Sequence, residues 1–436
     1  MSLTLSAVRL LLTRLLTYTA LLALLAGCTP SPEANVIGYL LAERLGTLEP
    51  DPSDAPPGAI TGVVEHEGRP VPGATVLVAE RTGRPHSGVT DEQGVYTIQG
   101  VPPGQYVPAA TAPGYEETVL QGWLGIPTLI TVNSSMTTTL PALELRPHRA
   151  TPLPEPLAES VNLVQTATYI TGTVFPPGAM AQATAYSFTY NGATVDTLRV
   201  YLPPDLAADE QLPMLFMVYP TQVDRWEPVS VGLASEGYAL VAISPMAGRG
   251  VNIDAHAQDA RIGFHLARQG ALGPHIRPAK AVALGGSFSS PVLHRFLRDE
   301  RDQIAGWVTV GGISNAFSGA HDFYTGKIEI PPPYELAVPA LGAPNLYPLL
   351  FLRYSPVYTA AQLPPTLIIH TDADRITRIT QAYELEEALK KAGVPVEVFY
   401  YEDVSHYLQI GEDMTDAGAE MFYLILDFAR RVQTDE

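Results

Sequence analysis

The sequence predicts an α/β architecture, a mostly parallel sheet flanked by helices, preceded by a small all-β domain. Three observations predict it. Continuous apolar runs of strand length alternate with helical stretches from about residue 185 onward, which is the pattern of parallel strands buried on both faces. Short period-2 apolar runs separated by Gly and Pro turns fill residues 58 to 146, as in a β-sandwich. A chain of 436 residues, 46% hydrophobic and 16% charged, exceeds one typical domain and can bury a large core.

In the first domain, Ile60 to Val64 and Val71 to Ala79 flank a Gly68-Arg69-Pro70 turn and read as a hairpin. Thr90-Asp91-Glu92-Gln93-Gly94 leads into a further strand, with Gly94 supplying a positive φ, and Pro103-Gly104 marks another turn. In the second domain, the expected strands are Met214 to Val218, Tyr238 to Ile243, Ala279 to Leu284, Gly306 to Val310, Thr366 to Ile369 and Val396 to Tyr401. Tyr186 to Tyr190 and Leu198 to Leu202 alternate more and suit antiparallel edge strands. Helices are expected over Val229 to Glu236, Ala255 to Gln269, Pro291 to Leu297, Tyr383 to Lys391 and Glu420 to Arg431.

Composition excludes several classes. A net charge of −19 and the absence of a Lys/Arg block oppose nucleic-acid binding. A mean hydropathy of +0.09 opposes a polytopic membrane protein. The single cysteine excludes an internal disulfide and a Cys-rich metal site. We find neither a metal-ligand cluster nor a Gly-rich phosphate loop in the sequence, so no cofactor is expected.

Residues 1–27 carry Arg9 and Arg14, an apolar run from Leu15 to Leu25, and Ala26-Gly27 before Cys28, the parts of an export signal. The small residues before the cysteine resemble the lipobox of bacterial lipoproteins, which implies cleavage before Cys28, acylation of its thiol by fatty acids such as palmitate, and attachment to a lipid bilayer. The expected location is the cell envelope, facing the periplasm or the exterior. Residues 28–57, rich in Pro, Asp, Glu and Ser, read as a flexible tether containing a short helix over Val36 to Leu48.

The turn and core residues of the β domain, Pro72-Gly73-Ala74, Asp91, Gly94, Tyr96, Pro103-Gly104, Tyr106 and Gly114-Tyr115, resemble the carboxypeptidase regulatory-like, transthyretin-like sandwiches. The resemblance implies a spacer, or a module that binds envelope carbohydrate or protein. Residues 147–184 read as a Pro-rich linker.

Chemistry is expected in the second domain. The run Ala281 to Leu284 enters Gly285-Gly286-Ser287-Phe288-Ser289 and then a helix. A Ser between strand and helix sits on a tight turn that lifts its Oγ above the sheet edge. A hydroxyl near neutral pH is a weak nucleophile, so Ser287 needs a base, and the base needs an orienting acid. Asp372 and Asp374 follow the strand ending near His370, and His406 follows the last strand. Ser, Asp and His thus fall in that order on three sheet-edge loops.

These residues resemble the α/β-hydrolase superfamily over about 185–436, and within it the dienelactone-hydrolase-like and prolyl-oligopeptidase-like domains. The resemblance implies Ser287 as nucleophile, His406 as general base, Asp374 as the acid and Asp372 as a turn residue. Two departures from the family stand out. Ser289 replaces the usual Gly, with its hydroxyl expected to cap the next helix. Tyr219-Pro220-Thr221-Gln222 replaces the usual His-Gly, so the oxyanion hole is assigned to the backbone N–H groups of Phe288 and Thr221, with the Tyr219 hydroxyl as a weaker candidate. Residues 313–360, with Phe317, Phe323, Tyr324, Tyr334, Tyr347 and Tyr354, read as a lid-like insertion whose aromatics suit an apolar acyl or aromatic substrate pocket or, equally, the insertion's own core.

The expected activity is hydrolysis of carboxylic esters, favoured over peptides, on a small-molecule ester or short peptide substrate. The alternatives are a prolyl-oligopeptidase-like serine peptidase and a non-catalytic surface binding protein.

Overall fold

The computed structural model describes residues 31–45, 55–122, 125–332, 334–406 and 415–434. The expected export signal and Cys28 lie outside the described residues. The chain divides into two compact units, Met1–His148 with Asn315–Thr359, and Arg149–Ser314 with Ala360–Glu436.

The first unit is built on a β-sandwich. The strand Gly58–His66 pairs antiparallel with Val95–Val101, and Thr75–Ala79 lies in a second sheet between Pro85–Val89 and Ala109–Thr111. Ile60, Val76, Val78, Tyr96, Ile98 and Leu143 close one buried core. The hairpin expected from Ile60 to Ala79 stops after Glu65↔Pro70 and His66↔Arg69. Pro72 has no N–H to continue the ladder, and past Gly73, at φ +71°, the chain enters the other sheet.

Two stretches assigned elsewhere by the sequence reading pack in this unit. Within the expected tether, Pro32–Arg44 is a helix capped by the Ser31 side chain. It is docked by an Asn35 Nδ2 hydrogen bond to the Ala340 carbonyl (3.0 Å) and by the Tyr39 ring against Phe323 and Tyr324. The expected lid-like insertion, almost entirely Asn315–Thr359, belongs with the sandwich. The Val107 amide donates to the Asn345 carbonyl (2.8 Å), and Asn345 Nδ2 donates to the Gln105 carbonyl (3.1 Å). Within the segment Phe317 packs against Phe351 and Tyr358, whereas Tyr334 is exposed.

The second unit carries a nine-stranded sheet. In chain order its strands are β1 (Val164–Gly172), β2 (Met180–Tyr190), β3 (Ala193–Leu202), β4 (Met214–Val218), β5 (Ala239–Ile243), β6 (Ala281–Gly286), β7 (Ile304–Val310), β8 (Thr366–Thr371) and β9 (Val396–Tyr401). Their spatial order is β1-β2-β3-β5-β4-β6-β7-β8-β9. The first three form an antiparallel meander, β3 meets β5 antiparallel, and every later pair is parallel. Strands β4, β5, β6 and β8 are buried at every residue, as continuous apolar runs require.

The helices are α1 (Val223–Ser235), α2 (Ile253–Arg268), α3 (Ser289–Glu300), α4 (Thr380–Lys391) and α5 (Asp416–Thr434). Leu215 and Met217 of β4 pack with Val231 of α1 and with Phe422 and Leu426 of α5. Phe216 points the other way and stacks on Phe296 of α3 and edge-on to Phe264 of α2. Both faces of the sheet are therefore covered.

The expected linker 147–184 differs most from the structure. Val164–Gly172 is an edge strand paired along Met180–Ser187, and Leu157–Ser160 forms a short helix. A β-branched run with little burial on either face has no period-2 signature, so the pattern that reveals buried strands does not reveal this one.

Candidate active site

The carboxyl ends of β6, β8 and β9 bring Ser287, Asp374 and His406 together. Ser287 follows β6 directly, and its φ of +49° is the left-handed region that L-residues rarely adopt. The surroundings hold it there. Its amide is shared between the carbonyls of Val310 (3.3 Å) and Gly311 (3.1 Å), and its carbonyl accepts from the Ile313 and Ser290 amides, both at 3.3 Å. A Cβ on Gly286 would stand 2.0 Å from the Val310 carbonyl oxygen, so only glycine lets β6 pass β7 before the turn.

Ser289 serves this turn rather than the helix. Its Oγ accepts from the Gly286 amide (2.8 Å) and donates to the Gly286 carbonyl (2.7 Å). The expected helix cap is absent, because α3 has no side-chain cap hydrogen bond at Phe288. A Ser is accommodated where the family has Gly because its hydroxyl ties the turn together.

His406 Nε2 lies 3.1 Å from Ser287 Oγ, and His406 Nδ1 lies 2.6 Å from Asp374 Oδ2. The Asp374 side chain is fully buried, and its other oxygen accepts from the amides of Ile376 (2.8 Å) and Thr377 (2.7 Å). Burial pushes its carboxyl upward, but hydrogen bonds from His370, His406 and the Thr377 amide outweigh burial and hold it well below the usual carboxylate range. A charged Asp374 fixes the His406 proton on Nδ1 and leaves Nε2 to accept from the serine hydroxyl. Such an array can activate a serine for attack on a carbonyl carbon.

Asp372 is placed otherwise. Its Oδ1 accepts from the Asp403 amide (3.0 Å), and its own amide donates to the Tyr401 carbonyl (3.1 Å), tying the β8 and β9 loops together. The other histidines of this unit are engaged away from Ser287. His256 Nε2 bonds the Gly250 carbonyl, His265 pairs with Glu300, His275 bonds the Glu210 carbonyl, His370 Nε2 bonds the Thr377 carbonyl, and His294 is buried in α3.

Of the expected oxyanion groups, Phe288 directly follows Ser287 and Thr221 lies just past β4. The Tyr219 hydroxyl is not available for this role. The residue is fully buried, its hydroxyl pairs with Ser230 Oγ (2.5 Å), and burial pushes its phenol pKa upward.

The sequence reading missed Gly311, whose φ is +55° and whose missing Cβ would stand 3.5 Å from both Asp374 Oδ2 and His406 Nδ1. The pair Gly311-Gly312 directly after an apolar strand was the available signal. Among the described residues, no group of three or more His, Cys, Asp or Glu is placed to hold a metal ion, and no helix is long and apolar enough to cross a membrane.

A largely parallel sheet with an antiparallel start, helices on both faces and this serine turn at its carboxyl edge is an α/β-hydrolase fold. Residues 318–433 match the prolyl oligopeptidase family. The matched stretch contains Asp374 and His406 and begins after Ser287. Residues 59–143 match the carboxypeptidase regulatory-like domain.

Among solved structures, the chain is similar to the acylaminoacyl peptidase of Pyrococcus horikoshii at 13% identity and a TM-score of 0.47, covering 83% of this chain and 62% of that one. It is similar to Thermogutta terrifontis esterase 2 phosphonylated by sarin at 19% identity and a TM-score of 0.43, covering 55% of this chain and 90% of that one. The same esterase with butyrate bound gives 19% identity and a TM-score of 0.42, covering 56% and 91%. The chain thus spans less than two thirds of the peptidase and most of the esterase. No curated protein matches the chain.

Proposed function

We propose that the protein is an exported, membrane-tethered serine hydrolase that cleaves carboxylic esters through an acyl-enzyme. The observation that carries the reading is the Ser287–His406–Asp374 array, with hydrogen-bond distances of 3.1 and 2.6 Å. Ser287 Oγ attacks the ester carbonyl carbon while its proton passes to His406 Nε2. The Asp374 carboxylate stabilises the imidazolium, and the amides of Phe288 and Thr221 stabilise the oxyanion. His406 then returns the proton to the departing alkoxide. Water, deprotonated by the same imidazole, releases the acid and restores Ser287.

One feature supports esters over amides. An amine leaves only when protonated and needs a better-stabilised tetrahedral intermediate than an alkoxide does. The Tyr219 hydroxyl, a third donor in principle, is spent on Ser230. Peptide hydrolysis is the second reading, favoured by the match of 318–433 to the prolyl oligopeptidase family. Attachment to the bilayer rests on the Leu25-Ala26-Gly27-Cys28 sequence.

Turnover of a series of short acyl esters and of matched peptide amides by the full chain tests this. Higher kcat/KM on esters is expected. Amide turnover equal to or above ester turnover would replace the ester reading with the peptidase one.

A further inference from the structure

We infer that Trp226 is the positioning residue of the oxyanion loop, holding Thr221 through its indole N–H so that the Thr221 amide is preset before substrate binds. This rests on the proposed acyl-transfer reading and assigns its loop a fastening.

The donor after β4 follows by elimination. The Tyr219 amide donates to the Ile243 carbonyl (2.9 Å), and Pro220 has no N–H. Thr221 therefore carries the first amide after the strand that is not committed to the sheet. A donor on a loop stabilises an oxyanion well only if its direction is fixed beforehand, because reorganisation during the reaction costs what the hydrogen bond would contribute.

Trp226 supplies that fixing from the first turns of α1. Its Nε1 donates to Thr221 Oγ1 at 2.8 Å, and its ring stacks on Tyr219 with centroids 6.5 Å apart and an interplanar angle of 18°. Tyr219 is held in turn by Ser230, whose Oγ donates to the Trp226 carbonyl at 3.0 Å. The residues on both sides of Pro220 are thus clamped by one side chain: Tyr219, Ser230 and Trp226 form a closed ring of contacts, and Thr221 is tied to it through the indole N–H. Thr221 is not spent on the usual duty of a Thr before a helix, since α1 has no side-chain cap hydrogen bond and its N-cap is Gln222.

The test is a double-mutant cycle on the full chain with a short acyl ester. Trp226→Phe keeps the ring on Tyr219 and removes the N–H, while Thr221→Val keeps the shape and removes the acceptor. Each is expected to lower kcat about tenfold with KM unchanged, and the double variant no further than the worse single one, because both remove the same bond. Thr221→Ser restores the acceptor and should regain most of the kcat that Thr221→Val loses. A kcat for Trp226→Phe within twofold of wild type, losses that multiply, or a change carried by KM would overturn the inference. So would Thr221→Ser falling as far as Thr221→Val. An active wild type with unaffected variants refutes this inference alone. A wild type that neither turns over ester nor labels at Ser287 with a fluorophosphonate refutes the hydrolase reading and this inference with it.

Discussion

Replacing Asp374 by Asn preserves the shape of its site and reverses one hydrogen bond. The amide oxygen can keep the bonds that Oδ1 now accepts from Ile376 and Thr377 at 2.8 and 2.7 Å, which leaves the NH2 group facing His406 Nδ1, 2.6 Å from the present Oδ2. Two donors cannot face each other, so His406 must move its proton to Nε2. Nε2 would then donate towards Ser287 Oγ instead of accepting from it, and the base is lost. Loss of the correct tautomer costs on the order of 10³ to 10⁴ in kcat, or about 4 to 5.5 kcal/mol of transition-state stabilisation.

Asp372→Asn is the matched control, because an amide oxygen can still accept from the Asp403 amide, as Oδ1 does at 3.0 Å. Its kcat should stay within about threefold, the expected effect of a slightly loosened loop. Steady-state kcat on one aryl ester, with circular dichroism to confirm folding, checks both, and Ser287→Ala and His406→Ala set the floor. A severe loss at Asp372 with a mild one at Asp374 would refute the assignment of the acid.

Further outcomes follow from the same contacts. Because the Asp374 pKa is depressed on folding, its contribution to stability is complete above the unfolded value of about 3.9 and is lost as pH falls from there towards the folded value. Chemical denaturation of wild type and Asp374→Asn between pH 7 and pH 3 should show a gap that is flat down to about pH 4 and narrows below it. Gly286→Ala places a Cβ 2.0 Å from the Val310 oxygen, and a loss of about 3 kcal/mol in urea unfolding is expected as β6 and β7 are forced apart. Gly311→Ala meets only ordinary contacts at 3.5 Å but keeps a φ of +55°, so a loss of about 1 kcal/mol by the same measurement is expected. Deleting residues up to His148 removes the Val107 and Gln105 partners of Asn345. Limited proteolysis should then cut within 315–359, and resistance equal to wild type would contradict the grouping of that segment with the sandwich.

What the sequence displayed depended on how each element is stabilised. Strands β4 to β8 are apolar runs covered on both faces, so burial alone reveals them. Strand β1 relies on backbone pairing to β2 and exposes most of its side chains, which leaves no pattern to read. The apolar pattern starts α1 at Val229, whereas the helix begins at Val223 and carries Pro228 within it. A proline there reads as a break, because it forgoes the bond an amide would give to the Asp224 carbonyl, yet the helix continues through it. Residues Ser287, Asp374 and His406 were legible because the serine turn and the two strand-ending loops are local signals in a fixed chain order. The packing of 315–359 was not, since its hydrogen-bonding partners Val107 and Gln105 lie more than 200 residues away in sequence and aromatic composition does not say which surface it covers.

The proposed chemistry requires Ser287 to be an activated nucleophile in the folded protein. Incubating the full chain with a fluorophosphonate and mapping the adduct by mass spectrometry measures this directly. One phosphonyl group per chain is expected on Ser287, abolished by denaturation and by His406→Ala. An unlabelled Ser287 in folded protein, or an adduct on a different serine, would contradict it.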